Sequence, residues 1–184
     1  MSNRFAISDH HFAHENIYKY RDETGDLIRP WANDAREADE MMIEAWNKVV
    51  QPKDIVYHIG DVAISRRGLP LLSRLNGRLR LAAGNHDIFK LKDYLPYFED
   101  IKGSYKINRL ILQHYPIHPE SIPHWCLANV HGHIHHHTVM RDDAHGRRIA
   151  DTRYFNLCVE AIGLAPLSIE EITSRIEVAQ EAEK

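Results

Sequence analysis

Two short apolar runs in this chain end in the same way, and that repetition narrows its possible folds more than any other feature. Ile55-Val56-Tyr57-His58-Ile59 stops at Gly60-Asp61, and the run from Arg78 to Ala83 stops at Gly84-Asn85-His86-Asp87. A short apolar or β-branched run closed by glycine reads as a buried strand leaving a sheet. An earlier strand, Arg4 to Ile7, leads into Ser8-Asp9-His10-His11. A helix opened by Asn33 or Asp34 runs to about Val50, with Ala35, Ala38, Met42, Ala45, Trp46 and Val49 as its apolar stripe. Ser65 to Leu75 reads as a crossover helix. Strand, helix, strand, helix, strand predicts a parallel α/β sheet. Polar residues just beyond the carboxyl ends of such strands lie where open α/β sheets place their sites.

The second half is less regular. Ile88 to Phe98 reads as a short helix, and Lys102–Ile107 with Leu110–Gln113 reads as a hairpin around Asn108-Arg109. Val130 leads into Gly132-His133-Ile134-His135-His136-His137, and Thr138–Met140 pairs with Arg148–Ala150. Tyr154 to Val159 is a further strand. Ser168 and Glu171 have capping-box spacing before a helix whose apolar face is Ile169, Ile172 and Ile176. The tail from Glu177 to Lys184 is expected to fray.

Composition limits the function classes. The 184 residues suit one domain, 1–184, able to bury its own core. A net charge of -3 gives no general pull toward nucleic acid or an anionic membrane. No apolar run approaches the ~20 residues of a membrane span, and no basic-then-apolar leader is visible. The expected location is cytoplasmic. Cys126 and Cys158 are expected as buried thiols rather than a disulfide.

Fourteen histidines are the unusual entry in the composition, so their positions matter. Five strand exits carry Asp9 and His11, then Asp61, then Asn85, His86 and Asp87, then His114, then His133 and His135. In extended backbone, residues two apart share a face, which aligns Asp9 with His11 and His133 with His135. Two carboxylates, one amide and four imidazoles without a thiolate suit manganese, iron, zinc or nickel. Seven donors exceed one tetrahedral ion and suit two ions sharing a carboxylate.

The order Asp9-x-His11, Gly60-Asp61, Gly84-Asn85-His86-Asp87, His114 and Gly132-His133-x-His135 resembles the calcineurin-like metallophosphoesterase family. Ser8 to His14 with Asn16-Ile17, and Arg29-Pro30-Trp31, are similar to its small bacterial and phage branch. The resemblance implies an α/β fold in which a two-sheet β-sandwich is flanked by helices, with a dimetal site at the strand carboxyl ends. It implies two divalent transition-metal ions, manganese foremost, with iron, zinc or nickel as alternatives. Asp9, His11, Asp61 and His135 would surround one ion; Asp61, Asn85, His114 and His133 would surround the other. The implied reaction is hydrolysis of a phosphomonoester or diester of a nucleotide or other small molecule, by in-line attack of a metal-bridging hydroxide. His86 would protonate the leaving oxygen, with Asp87 orienting its ring and raising its pKa.

His14, Arg29, Asn85 and His118 are candidate substrate contacts. His10, His136 and His137 exceed the pattern and are expected as supporting or solvated residues. Two other readings are a metal-dependent scaffold without turnover and a nuclease. The intact donors and His86 favour an enzyme, and neither a basic face nor an aromatic stacking platform favours a polymer substrate.

Overall fold

The protein is described from a computed structural model covering residues 2–183. It is a mixed α/β structure with three sheets and few helices. The largest sheet contains β1 (Arg4–Ile7), β2 (Ile55–His58), β3 (Arg78–Ala82), β4 (Phe98–Lys102) and β11 (Leu167–Ser168). Its order is β11-β1-β2-β3-β4. The first three strands run parallel, as their spacing predicts; β4 extends the parallel set beyond that expectation, and β11 adds an antiparallel edge. The second sheet has the order β10-β7-β6-β5, formed by β5 (Tyr105–Ile107), β6 (Leu110–Leu112), β7 (Ala128–His131) and β10 (Tyr154–Asn156). A separate antiparallel pair joins β8 (Met140–Asp142) to β9 (Arg148–Ala150).

Strand alternation divides the core. On one face of the large sheet Phe5, Ile7, Val56, Leu79 and Leu81 cluster with Met42, Ile43 and Trp46 of α1 (Ala35–Val49). On the other face Ala6, Tyr57 and Ala82 cluster with Leu110, Leu112 and Val130 of the second sheet. Ile169, Ile172 and Ile176 of α4 (Ile169–Glu181) join that second cluster. This is the period-two partition expected of a sheet covered on both sides. Helix α1 begins where an acid can cap it, since Asp34 accepts a hydrogen bond from Glu37 N at 2.8 Å.

Several expected elements differ. Residues 65–75 contain only a 3₁₀ segment, Leu69–Arg74, with Pro70 in its first turn and Gly68 before it packed against the Phe12 carbonyl. The expected helix over 88–98 shrinks to α2 (Leu91–Tyr94), and Phe98 instead starts β4, where it is buried beside β3. The strand from Tyr154 stops at Asn156, whose side chain accepts from Cys158 N and turns the chain into α3 (Val159–Ile162). The tail does not fray over its described length. Gln180 donates to the carbonyls of Leu127 and Thr152, and α4 continues to Glu181; Lys184 lies outside the described residues. No helix among the described residues is long and apolar enough to cross a membrane.

Candidate metal centre

The parallel strands all release their chains at one end, and the polar exits meet there. Asp9 and His11 follow β1, Asp61 follows β2, Asn85 to Asp87 follow β3, His114 follows β6, and His133 and His135 follow β7. Asp9, His11 and His135 present donor atoms within 4.8 Å of one another, and so do Asp61, His114 and His133. Asp61 stands between the groups: its Oδ2 lies 3.6 Å from His11 Nε2 and 3.5 Å from His114 Nε2. Asn85 Oδ1 is 2.9 Å from His114 Nε2. The seven donor residues named from sequence therefore occupy one neighbourhood.

The backbone brings them together differently from the expectation. Asp9, His11, Asp61, His133 and His135 all have positive φ, between 49° and 71°. Among the described residues, five of the eight non-glycine residues with positive φ are thus candidate donors of this cluster. The i, i+2 pairs converge through left-handed turns, not through extended strands. Each such residue costs roughly 1–3 kcal/mol, and strain of this kind persists where the surrounding structure enforces it. Gly84, which closes the third strand, is held to glycine by its neighbours. An added Cβ would strike the Asp61 carboxylate, come 2.7 Å from Asp61 N, and lie 2.9 Å from His114 Cε1. Close approach, not an unusual φ, requires glycine there.

The chemistry of these atoms fits a cation. Asp9 Oδ1 and both ring nitrogens of His11 are buried without a hydrogen-bond partner, which is uncommon for polar atoms in a folded interior. Burial opposes a charge on Asp9, but its contact with His11, supported by His114 and Ser8, holds the carboxyl well below its ordinary range. Burial likewise opposes ionisation of Asp61, and His114 and His11 override it. Two carboxylates held toward their charged form and faced by imidazoles are the electrostatic setting of a divalent ion.

Around the donors lies a set of supports that sequence reasoning did not find or misassigned. Glu160 is buried, with its Oε1 2.7 Å from Arg29 Nε and 3.2 Å from His135 Nδ1. Its only sequence signal is an acid in an apolar stretch. Carboxylates in this position fix the tautomer and direction of a ligating imidazole. Arg29 is fully buried and also donates to the carbonyls of His10 at 2.8 Å and Asp9 at 2.6 Å. It is not placed as the substrate contact expected of it, because the side chain is fully buried and turned toward Glu160 and the Asp9 and His10 carbonyls.

Asp87 is also reassigned. Its carboxylate accepts from Gly84 N, Asp61 N and Val62 N at 2.8–3.0 Å, so it braces two loop backbones rather than the His86 ring. Asp9 Oδ2 accepts from His133 N at 3.0 Å and from Cys158 Sγ at 3.2 Å. Both cysteines are free thiols, as expected, but only Cys158 is buried; Cys126 is partly exposed.

The remaining candidates separate by place. His86 is exposed at the rim, its N–H donating to Asp61 Oδ1 at 2.8 Å and its ring centroid 5.4 Å from that of His11. His14 packs edge-on to His11, and burial with the nearby His11 and Arg29 pushes it down to about 4. His118 is exposed and accepts from Glu120 N as a local cap. His10 is neither solvated nor a donor of the cluster; it is buried, stacks on Phe12 and shares a 2.9 Å hydrogen bond with His58.

No family model matches the chain. Over 94% of its length and 90% of the relative's, it is 33% identical to the uncharacterized protein MJ1445 of Methanocaldococcus jannaschii. The chain belongs to that protein's family. The gene 66 protein of Mycobacterium phage L5 is 29% identical, covering 81% of this chain and 85% of its own. Among solved structures, the protein of unknown function AQ665 from Aquifex aeolicus overlays with a TM-score of 0.66 at 26% identity, across 95% of this chain and 100% of that one. None of these names states a reaction.

Proposed function

We propose that this family member is a dimetal-dependent phosphoesterase of the calcineurin-like kind, acting on a small phosphoester. The observation that carries the reading is Asp61 Oδ2, which faces His11 of one donor group and His114 of the other at 3.6 and 3.5 Å. Asp9, His11, Asp61 and His135 would hold one ion, and Asp61, Asn85, His114 and His133 the second. Manganese is the first choice, and iron, zinc and nickel suit the same donors. In this reading the two larger sheets are the facing layers of a sandwich, with the centre at their shared end.

When bound, a divalent pair supplies Lewis acidity toward phosphoryl oxygens and lowers the pKa of water. The protein's own side chains do the rest. Glu160 accepts from or pairs with His135 Nδ1, which leaves the ring's other nitrogen facing inward. Asp87 holds the Gly84 and Asp61 backbones in place, so the two loops cannot drift apart. His86 is fixed through its backbone on Asp61 while its imidazole stays at the open rim. That placement lets the ring give a proton to a departing alkoxide, a role worth roughly 10²–10⁴ in rate.

The test is a panel of phosphomonoesters, cyclic nucleotides and aryl diesters against metal-stripped protein reloaded with Mn, Fe, Ni, Zn or Mg. Turnover with at least one ion is expected. In the same panel His86→Gln should keep the wild-type metal content and lose most turnover, most of all on alkyl esters. Absence of turnover with every ion would favour a metal-dependent scaffold instead.

A further inference from the structure

Glu23, His136 and His137 stand outside the donors assigned above, yet their side chains converge. Glu23 Oε2 is 3.5 Å from His136 Nε2, and Glu23 Oε1 is 3.4 Å from His137 Nε2. The two imidazole centroids are 4.0 Å apart, and the three residues offer donor atoms within 4.8 Å of one another. We propose that Glu23, His136 and His137 form a separate site for a divalent transition-metal ion, which ties the loop 21–28 to the segment 132–138.

Three further observations support it. Both ring nitrogens of His136 are shielded from solvent and have no hydrogen-bond partner. A neutral or charged imidazole placed there for packing alone would leave polar atoms unsatisfied. An ion bound at one nitrogen removes part of that deficit.

The two backbones are also built before any ion arrives. Asp22 Oδ1 accepts from Thr24 N at 2.9 Å and from Asp26 N at 3.0 Å, and Arg21 donates to the Gly25 carbonyl, so Glu23 projects from a closed loop. Opposite it, Asn156 Nδ2 donates to the carbonyls of His135 and His137 at 2.6 and 3.0 Å. Part of the ordering is already in place on either side, which lowers the entropy that binding must offset and leaves the metal to join the two segments.

Last, the donor set selects the ion. Two imidazoles and one carboxylate, with water free to complete the shell, are ligands typical of zinc, and copper or nickel suit them as well. Calcium and magnesium prefer all-oxygen shells and are disfavoured. Glu23 and His137 are 73% and 53% exposed, so this site exchanges with solvent and should bind more weakly than the buried cluster. His137 is exposed, as expected of a solvated residue, and this site adds a ligand role for it and for His136.

The experiment uses the full chain, stripped of metal and dialysed against zinc, with bound zinc counted by mass spectrometry. His136→Ala/His137→Ala should bind one zinc fewer per chain than wild type. Glu23→Gln should keep that zinc with weaker affinity, and Asp61→Asn should keep it too. The difference of one zinc does not depend on turnover, so it can be read even if the phosphoesterase reading fails. As a second measure, zinc should slow amide exchange over residues 21–28 in wild type and leave it unchanged in the double variant. Equal zinc counts in wild type and double variant, or the same exchange response in both, would leave only an ion pair and overturn the proposal.

Discussion

Replacing Glu160 with Gln keeps the side chain's shape and removes one charge from a buried junction with Arg29 and His135. The Glu160 side chain is 3% exposed and its partner Arg29 is 0% exposed, with Nε and Oε1 2.7 Å apart. Arg29 cannot shed its charge. The variant therefore leaves a guanidinium buried without a counter-ion, a loss worth about 3–5 kcal/mol when one partner of a buried pair is removed. For a chain of this size that corresponds to a fall of roughly 6–20 °C in Tm. The effect should not stop at stability. Arg29 holds the Asp9 and His10 carbonyls, and Glu160 Oε1 also faces His135 Nδ1, so the donor geometry loosens as well. Loss of such a support commonly costs 10–100-fold in metal affinity. Urea unfolding of the metal-free protein reads the first effect, and manganese titration reads the second. A Glu160→Gln protein within about 1 kcal/mol of wild type, binding manganese equally well, would refute this reasoning.

Asp39, on the buried face of α1, has its pKa raised to about 6 by burial, partly opposed by the Ala13 N–H that its carboxylate accepts at 3.1 Å. A raised folded-state pKa means that the folded protein holds the proton more tightly than the unfolded chain. Its stabilising contribution is complete below about 4 and is lost as pH climbs through about 6. Asp39→Asn does not titrate, so its stability relative to wild type should rise between pH 4 and 6.5 and then level off. A urea midpoint difference that stays constant over that range would contradict it. Gly84→Ala should displace Asp61 and His114, cost about 1–3 kcal/mol, and weaken manganese binding. Unchanged binding by calorimetry would show that the Gly84 approach is not needed.

The donors were legible because each lies immediately after an apolar strand, and strand ends are what hydrophobic pattern marks best. Each exit is bland alone; Asp9, Asp61, Asn85, His114 and His135 stand out because five exits carry such residues together. How they converge was not legible. The left-handed turns at Asp9, His11, His133 and His135, and the approach of Gly132 to Ser8 and Asp9, belong to tertiary packing that no local pattern marks. The Arg29–Glu160 pair was equally hidden, since its members are 131 residues apart and each reads alone as a surface charge. Helix α1 shows the same limit within one element. Its stripe predicted Val49 as core and passed over Asp39, whereas Val49 is 40% exposed and Asp39 is buried. The apolar period locates a helix face, but which residues at its edge are covered depends on the loop 13–15 and the segments that pack there. Phe98 makes the point for strands. An aromatic after a helix-like run gives no local sign that it will pair beside Leu79.

The central claim is that Asp61 joins two donor groups into one hydrolytic metal centre. Its most direct test measures manganese uptake and phosphoester turnover on the same samples of wild-type and Asp61→Asn protein, using the best substrate from the panel. Wild type should lose turnover when stripped and recover it on reloading, while Asp61→Asn should bind less manganese and stay inactive. Wild-type uptake and turnover in Asp61→Asn, or undiminished turnover by stripped wild type, would contradict the account.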